Sequence, residues 1–413
     1  MYTNIALDSY KDLLRNIDAY LRETLSIKEG NRELKVENVR LPPIPDFNEE
    51  NVNEKKEARI EGLTLSDPVK VTLALTDNGK LINRATVTVI DLPRVTKEGT
   101  YIVNGTFYQF PTQKRLLTGV YTTEQDDGQI SSWINSGKGR NMKVVLRTGG
   151  DFILDIDNST IPLSGVLVGL GVDPQKLRQL WGDEVYNNNV KGMRNIQYAL
   201  DKTYGKLQYQ RGEEDPKDIP SLRSWILNYF ETNSSLDGEN VEITLGRNHE
   251  TVSPQLLLDA TTKILAVMRK EKGEDNKESL LHNHVKDISD FIVERLNSRQ
   301  YRAAIKRGLS KGVRSFDSIS KIVPKKILNG PVESTFTQTA LARSPKQNNP
   351  MDEISGFTEV TVRGEGGITD IHQVKRDVRA VDPTHFGFLD PIHTPEGENI
   401  GTTVHLASGA RKI

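Results

Sequence analysis

The stretch from Asp382 to Gly401 has the residue types and the spacing to hold functional side chains in place. It reads DPTHFGFLDPIHTPEGENIG and contains three prolines, three glycines and a carboxylate at Glu396. Proline fixes φ and removes a backbone donor, whereas glycine permits angles that are closed to other residues, so neither a helix nor a regular strand fits here. Ordering such a loop costs about 1–2 kcal/mol per residue, which packing or a ligand must offset. The stretch therefore predicts a rigid surface with a functional role.

Two side chains of this stretch have different predicted roles. Pro395 and Gly397 place Glu396 at the tip of a turn, which makes it the most exposed candidate carboxylate. His385 lies inside the PTHFG turn, where we expect it to hydrogen-bond to the backbone. We therefore assign a structural role to His385, Pro395 and Gly397.

A glycine-rich segment lies upstream and reads Arg363-Gly364-Glu365-Gly366-Gly367. Glycines let backbone N–H groups approach a phosphate, but the strand, lysine and hydroxyl residue of a P-loop are absent, so an ATPase is excluded and a flexible loop is favoured. Lys375, Arg376 and Arg379 follow closely. Two of these could face a nucleic-acid backbone, and a solvated charged surface is an equal alternative.

Metal chemistry has weak support in this sequence. His282 and His284 alternate and could share a metal on a strand, but no nearby carboxylate or third histidine completes a ligand set. A metal-dependent hydrolase would need the distant Glu396 to converge on both histidines. The chain has no cysteine, which excludes disulfides, thiolate metal sites and a cysteine nucleophile.

The composition is that of an ordinary globular protein. Of 413 residues, 36% are hydrophobic and 27% are charged, and the formal net charge is −1. A protein that wrapped nucleic acid alone would more often be basic, so we expect this chain to form one side of a shared cleft. No run of 18 apolar residues and no signal peptide are present, which predicts a cytoplasmic protein without a membrane partner.

Hydrophobic periodicity predicts mixed secondary structure. Apolar residues at helical spacing predict an amphipathic helix over 6–29, followed by a polar linker over 41–57. Alternation over 70–75 and 86–90 predicts strands, with β structure continuing to about Asp157. The region 160–310 is predicted to be mainly helical, and the chain from Lys311 onward loop-rich. The best helical segments are 255–272 and 286–309, and 269–277 is predicted to enter an exposed turn.

Several separate blocks resemble the β subunit of multisubunit DNA-dependent RNA polymerases. The stretch 382–401 resembles that family's fork region, whose usual form reads close to HPTHYGRxCPxETPEGPNIGL. The other blocks follow the family order from about residue 55 to residue 405: ARIEGLTLSDPVKV at 58–71, GTYIVNGT at 99–106, QNNPMDEI at 347–354 and GGIT at 366–369, with weaker similarity at 116–121 and 281–284.

The resemblance implies an α+β fold with named domains. It predicts a protrusion-like first part over 1–115, a lobe-like domain over 116–285, a return to the protrusion over 286–345 and a fork region over 346–413. In this interpretation Glu396, Asn399, Arg343 and Lys346 line the active cleft near the RNA. Asn348 and Asn349, which precede Pro350, are interpreted as turn residues.

The same resemblance assigns the glycine-rich segment to a loop that faces downstream DNA. The residues so assigned are Arg363, Gly364, Gly366, Gly367 and Asp370. Nucleotide addition needs paired Mg²⁺ ions held by clustered aspartates, and this chain has no such cluster. Catalytic residues and Mg²⁺ are therefore expected on another subunit, with none on this chain.

The sequence ends at Ile413, just after the fork-like stretch, which suggests either one part of a longer chain or a subunit divided into two polypeptides. We favour the type found in large-genome bacteriophages, acting in an infected host cell or packaged in a virion, over an archaeal split subunit. The expected partners are a C-terminal β-like chain, β′-like chains, template DNA, product RNA and a promoter-specificity factor. The alternative from another class is a stand-alone protein that binds or inhibits a host polymerase.

In bacterial members of this family, the segment before GGLT forms part of the rifampicin pocket. Anchored on QNNP, this chain has Lys346, Gly356, Glu359, Thr361 and Asp370 where the family has Asp, His, Arg, Ser and Arg. Acceptors in place of donors at 359 and 370 would leave polar groups of the drug unpaired. We therefore expect resistance to rifampicin.

Overall fold

A computed structural model describes residues 2–47, 51–125, 127–208, 215–345 and 350–410. The chain forms two compact units: unit 1 comprises Met1–Arg115 together with His284–Ile413, and unit 2 comprises Leu116–Asn283. The lobe-like domain predicted from the sequence covered residues 116–285, whereas unit 2 covers Leu116–Asn283. The fork region, which was predicted as a separate range over 346–413, belongs to unit 1.

The first part of unit 1 consists of helices and antiparallel strands. In chain order these are α1 (Tyr2–Thr24), β1 (Ile27–Glu29), β2 (Arg32–Arg40), α2 (Val52–Ile60), β3 (Ser66–Asp77), β4 (Lys80–Pro93), β5 (Tyr101–Val103), β6 (Thr106–Tyr108) and β7 (Thr112–Leu116). The strands β1 to β4 form one antiparallel sheet in sequence order, and β5 pairs with β6.

Two predicted boundaries in this part were wrong. The helix ends at Thr24 instead of residue 29, because Ile27–Glu29 pairs with β2. Helix α2 begins inside the predicted linker, where the side chain of Asn51 accepts hydrogen bonds from the first-turn N–H groups. The buried face of α1 was predicted correctly, since Tyr10, Leu13 and Ile17 are fully buried.

Unit 2 combines a five-stranded antiparallel sheet with helices. Its elements are β8 (Gly119–Glu124), β9 (Ile130–Asn135), β10 (Met142–Leu146), β11 (Phe152–Ile156), β12 (Ser159–Pro162), α3 (Leu163–Gly169), α4 (Pro174–Arg194), α5 (Ile196–Leu207), α6 (Ile219–Asn233), α7 (Gly238–Leu245) and α8 (Pro254–Met268). The strand order is β12-β11-β10-β9-β8. Trp181 is buried in its core and donates a hydrogen bond to Thr261 at 3.0 Å.

The segment predicted as an exposed turn after α8 is anchored most deeply at Asp275. The carboxylate of Asp275 lies 3.1 Å from the ammonium of Lys263 and accepts a hydrogen bond from the N–H of Thr122 at 2.7 Å. Both charged side chains are more than 90% buried. The prediction of an exposed segment was therefore wrong at Asp275.

The chain then returns to unit 1. Its remaining elements are β13 (Asn283–Lys286), α9 (Ile288–Asn297), α10 (Arg299–Ser315), α11 (Ile319–Ile322), α12 (Asn329–Thr337), α13 (Pro350–Thr358), β14 (Glu359–Thr361), β15 (Leu389–Asp390) and β16 (Thr403–Leu406). The single helix predicted over 286–309 is two helices that meet at Ser298, which has an extended backbone. No helix in the described part of the chain is long and apolar enough to cross a membrane.

A mixed sheet positions the fork-like stretch. Its strand order is β13-β7-β14-β16-β15, and β14 runs parallel to β7 and antiparallel to β16. The long segment 362–402 connects β14 to β16 and contributes the short edge strand β15 to the same sheet. We call this segment the connecting loop.

Candidate functional site

The connecting loop is closed at its base by backbone hydrogen bonds. Val360 pairs with Val404 across β14 and β16, and the N–H of Val362 donates to the carbonyl of Thr402 at 3.0 Å. On its other edge β14 pairs with β7, with Val360 opposite Thr112. Both ends of the loop are thus attached to a sheet, so its side chains are presented from a fixed base.

The glycine-rich part of the loop is a closed turn. The N–H of Gly364 donates to the carbonyl of Ile368 at 3.1 Å, and the N–H of Gly367 donates to the carbonyl of Gly364 at 3.0 Å. Gly364 has a φ of +107°, a region that side chains rarely adopt. These two N–H groups are used inside the turn, which leaves them unavailable to cradle a phosphate.

Arg115 on β7 holds this turn in place. Its guanidinium donates to the carbonyl of Glu365 at 2.8 Å and to both carboxylate oxygens of Glu294 at 2.8 and 2.9 Å. It also hydrogen-bonds to Gln113 and lies 5.7 Å from the ring centroid of Phe291. The side chain is 13% exposed. One guanidinium therefore reaches residues that are 179 and 250 positions away along the chain.

A second arginine strengthens the same attachment. Arg295 on α9 forms an ion pair of 3.3 Å with the carboxylate of Glu365. Lys286 is a further partner of Glu294. The sequence favoured a flexible loop for this segment, and the structure instead fastens it at both the backbone and the side chain of Glu365.

Arg363 and Asn399 connect the two halves of the connecting loop. The Nη1 of Arg363 donates to the Oδ1 of Asn399, and the carbonyl of Asn399 accepts from the hydroxyl of Thr402 at 2.8 Å. The Nε of Arg363 is buried and has no hydrogen-bond partner among the described residues. The amide of Asn399 is therefore positioned by an arginine that sequence reasoning had assigned to a separate DNA-facing loop.

Arg379 supports the turn that contains Glu396. Its Nη1 donates to the carbonyls of Glu398 and Ile400 at 2.6 and 2.9 Å. A Cβ at Gly401 would lie 2.5 Å from the carbonyl oxygen of Arg379, so glycine is required for this close approach. Arg379 was grouped with Lys375 and Arg376 as a candidate for DNA contact. Lys375 and Arg376 are exposed, whereas Arg379 is half-buried against the loop.

Glu396 lies at the exposed tip of its turn. Gly397 has a φ of +76°, and a Cβ there would meet no atom within 4 Å. At the base of this turn, the hydroxyl of Thr394 donates to the carbonyl of Thr403 at 2.8 Å and accepts from the N–H of Gly401 at 2.9 Å. The turn therefore presents the Glu396 carboxylate to solvent on a braced backbone.

His385 is buried in a short 3-10 turn, Pro383–His385. Its Nδ1 accepts a hydrogen bond from the N–H of Asp382 at 3.3 Å. The carboxylate of Asp382 in turn accepts from the N–H and the hydroxyl of Thr384 at 2.9 and 2.6 Å. These contacts give His385 the geometry of a residue that stabilises the turn.

Other residues assigned from the sequence lie around this loop. Arg343 forms an ion pair with Glu359 on β14, and its backbone pairs with Gln109. Asp370 caps a 3-10 turn by accepting from the N–H of His372 at 2.9 Å. Lys346, Asn348 and Asn349 lie outside the described residues.

Sequence reasoning missed a pair of histidines beside the loop. The rings of His393 and His405 stack with their centroids 3.6 Å apart and an angle of 10° between their planes. Asp390 pairs with His405 across β15 and β16 and accepts from the N–H groups of Ile392 and His393 at 2.9 and 3.3 Å. Those two hydrogen bonds lower the pKa of Asp390. One sequence feature could have drawn attention to this group: Asp390 and His393 stand at positions where the family has Cys and Glu.

We predict that the unit containing His405 loses stability in mild acid. Burial, followed by the charge of His393, lowers the pKa of His405 below its usual value of about 6.5. The unfolded chain therefore binds more protons than the folded chain just below pH 6.5, so stability falls as the pH decreases through that range. The Tm of His405→Gln should change less between about pH 7.5 and about pH 5.5 than that of the wild type.

The lowered pKa of Asp390 does not contribute to the change in stability between about pH 7.5 and about pH 5.5. A carboxylate with a lowered folded pKa adds stability that is lost only when the pH falls below its unfolded value of about 3.9. An equal pH dependence of Tm in the wild type and in His405→Gln would contradict the role of His405.

The two histidines considered as metal ligands have other environments. In unit 2 the Nδ1 of His282 hydrogen-bonds to the Oδ1 of Asn240 at 2.7 Å, and burial lowers its pKa. In unit 1 burial likewise lowers the pKa of His284. Among the described residues, no three His, Cys, Asp or Glu side chains are grouped to hold a metal ion. This geometry argues against the hydrolase hypothesis.

The connecting loop lies within a segment that is similar to a known domain family. Residues 344–411 match the model described as RNA polymerase Rpb2, domain 3. These residues include α13, both strands at the base of the connecting loop and the whole loop.

Curated proteins extend the similarity to nearly the whole chain. The DNA-directed RNA polymerase β subunit of Corynebacterium glutamicum (strain R) is 24% identical over 464 residues, covering 99% of this chain and 39% of the relative. The β subunit of Thermus aquaticus is 24% identical and covers 99% of this chain and 40% of the relative. The β subunit of Corynebacterium kroppenstedtii is 28% identical and covers 86% of this chain and 33% of the relative. The chain thus spans about two fifths or less of these relatives. The resemblance to the RNA polymerase β subunit is confirmed.

Proposed function

We propose that this β-like chain forms part of a DNA-directed RNA polymerase, in which it completes one side of the DNA cleft and lines the active cleft with its connecting loop. The observation that carries this proposal is that the segment matching Rpb2 domain 3 is also the segment braced by Arg115, Arg363 and Arg379. Unit 1 would correspond to the protrusion and fork, and unit 2 to the lobe.

Within this proposal the loop positions substrates and does not catalyse. Glu396 presents an exposed carboxylate, and Asn399 is oriented by Arg363, so both suit hydrogen bonding to RNA or an incoming nucleotide. Arg343 and Lys346 are proposed to line the same cleft. Phosphoryl transfer would be assisted by two Mg²⁺ ions on another subunit, which stabilise the attacking and the leaving oxygens.

The exposed apolar surface of the connecting loop supports association with further β-like sequence. Ile392 is 88% exposed, Phe386 64%, Phe388 55% and Ile400 52%. Large apolar side chains grouped on one loop indicate a protein interface. We propose that the β-like region that follows the fork in the family covers this surface, whether it is supplied by the same polypeptide or by another one. A phage-type divided subunit stays a prediction.

The test is to tag the chain at its N-terminus in its native source, purify it gently and identify the co-purifying polypeptides by mass spectrometry. We expect a stoichiometric set that includes a β′-like chain with clustered aspartates and further β-like sequence. Sequence that resumes in a separate chain would establish the divided subunit, and the source would decide between a phage and an archaeal type. Recovery of the chain alone, or with only an intact host polymerase, would overturn the proposal in favour of a stand-alone interaction protein.

We predict that the assembled polymerase resists rifampicin. Glu359 presents an acceptor that is already paired with Arg343, and Asp370 presents an acceptor used as a cap. Each unpaired polar group of the drug costs about 1–3 kcal/mol, so two weaken its binding by roughly 30-fold or more. The measurement is RNA synthesis against drug concentration, beside a sensitive bacterial polymerase. Half-inhibition of both enzymes at the same concentration would contradict the prediction.

A further inference from the structure

Helix α10 concentrates positive charge on unit 1. All of its charged residues are basic: Arg299, Arg302, Lys306, Arg307, Lys311 and Arg314. The next eleven residues add three lysines and one acidic residue, Asp317. The whole chain has a net charge of −1, so this excess is local.

The orientation of α10 is determined by its apolar face. Ile305, Leu309 and Val313 are buried in the core of unit 1. Lys306, Arg307, Lys311 and Arg314 consequently project outward and are exposed. The basic side chains therefore form a surface whose position is set by the packing of the helix.

These cations line an open groove of about 450 Å³. Its other lining residues are Ser310, Ser315 and a single carboxylate, Glu29. Glu29 is ion-paired with Arg314, and its hydrogen bonds to Arg314 and Ser310 lower its pKa. In the described part of the chain, Lys306, Arg307 and Lys311 form no ion pair. The groove thus retains a net positive charge.

The spacing of these charges disfavours the helix unless an anion is bound. Arg307 and Lys311 are four residues apart, and Lys311 and Arg314 are three apart, so like charges are neighbours along the helix. Such pairs destabilise a helix, and a merely solvated helix face usually mixes the two signs. A bound polyanion would offset this repulsion.

The lining chemistry identifies the kind of polyanion. Neither an aromatic nor an apolar residue lines the groove, whereas protein interfaces have apolar centres and single-stranded nucleic acids stack on aromatic rings. Lysine, arginine and serine side chains are the usual donors to phosphates. From Lys306 to Arg314 the helix rises about 12 Å, which spans roughly three to four phosphates of one DNA strand.

We propose that the α10 groove binds the phosphate backbone of duplex DNA without reading its sequence. The proposal rests on the proposed function in one respect, because the duplex would be the one that the polymerase transcribes. It adds a specific site, since neither the motifs nor the connecting loop assigned a role to α10.

The test measures binding of the purified full chain to a duplex of about 30 base pairs by fluorescence anisotropy over a range of salt concentrations. The variant is Lys306→Gln/Lys311→Gln. If each lysine neutralises one phosphate, the slope of log K against log salt should become less negative by about 1.8, and affinity should fall roughly 10- to 60-fold at about 0.1 M salt. Two duplexes of unrelated sequence should give the same result.

The matched control is Lys70→Gln/Lys80→Gln, which removes the same charge from exposed lysines on β3 and β4. This variant should retain the wild-type slope, and thermal unfolding should show that both variants are folded. No measurable duplex binding by the wild type, equal losses in the two variants, or tighter binding of a single strand than of the duplex would each overturn the proposal.

The two proposals fail separately. A chain that binds duplex through α10 but recruits no polymerase subunits would overturn the proposed function and leave the α10 site intact. A chain that assembles into an active polymerase while the α10 variant binds duplex like the wild type would overturn only the α10 site.

Discussion

Replacement of Arg115 by methionine is expected to lower the free energy of unfolding of unit 1 by about 2–3 kcal/mol and to release the turn at Gly364–Gly367. Breaking a buried ion pair costs about 3–5 kcal/mol, and we reduce this value because Glu294 is 40% exposed. Methionine keeps much of the apolar contact with Phe291 but has no donor for Glu365. The measurements are denaturant unfolding and the rate of tryptic cleavage after Arg363, which should increase in the variant.

Lys286→Met is the matched control for Arg115→Met. Lys286 also pairs with Glu294, but it makes no contact with the carbonyl of Glu365. Its replacement should cost less stability and leave cleavage after Arg363 unchanged. Arg115→Lys, which keeps the charge but lacks the planar set of donors, should still expose Arg363 to cleavage. Equal protection of Arg363 in Arg115→Met and in the wild type would refute the clamping role.

Under the proposed function, Gly401→Ala is expected to reduce RNA synthesis by the polymerase that contains this chain roughly 10- to 100-fold, since displacements of about 1 Å near a reacting centre have effects of this size. Gly401 has a φ of +71°, which costs a residue with a side chain about 1–2 kcal/mol. In addition, the new Cβ would lie 2.5 Å from the carbonyl oxygen of Arg379 and 2.8 Å from its Cα. The backbone of Arg379 must therefore move, and its hydrogen bonds to Glu398 and Ile400 move with it.

Gly397→Ala separates backbone strain from this displacement. Gly397 has a similar φ of +76° in the same turn, but a Cβ there meets no atom within 4 Å. Both variants should lose a similar amount of stability, because each places a side chain at a residue with a positive φ. Only Gly401→Ala should also displace Arg379 and cause the larger loss of RNA synthesis. The measurement is the elongation rate on a preformed primer–template. If Gly397→Ala is as defective as Gly401→Ala, backbone strain alone accounts for the effect.

Much of the local structure was predictable because it depends on short-range rules. The buried face of α1 and the strands at 70–75 and 86–90 follow from side-chain periodicity. The limits of proline and glycine predicted most of 382–401 as irregular, but the exclusion of a strand was wrong at Leu389–Asp390, which forms β15. Strands β1 and β2 were missed because pairing between strands determines them: β2 pairs with β3, and β1 pairs with β2. Only the packed chain shows that Ile27–Glu29 leaves the helix.

The sequence by itself determined the motif, the turn at Glu396 and the resemblance to a polymerase β subunit, because these depend on residue types and on their order along the chain. Tertiary structure alone decided which side chains brace the site. Arg115 reaches Glu294 and Glu365, Arg363 reaches Asn399, and His393 stacks on His405. These contacts depend on strand register and helix packing, which bring distant residues within hydrogen-bond reach and which no local pattern encodes.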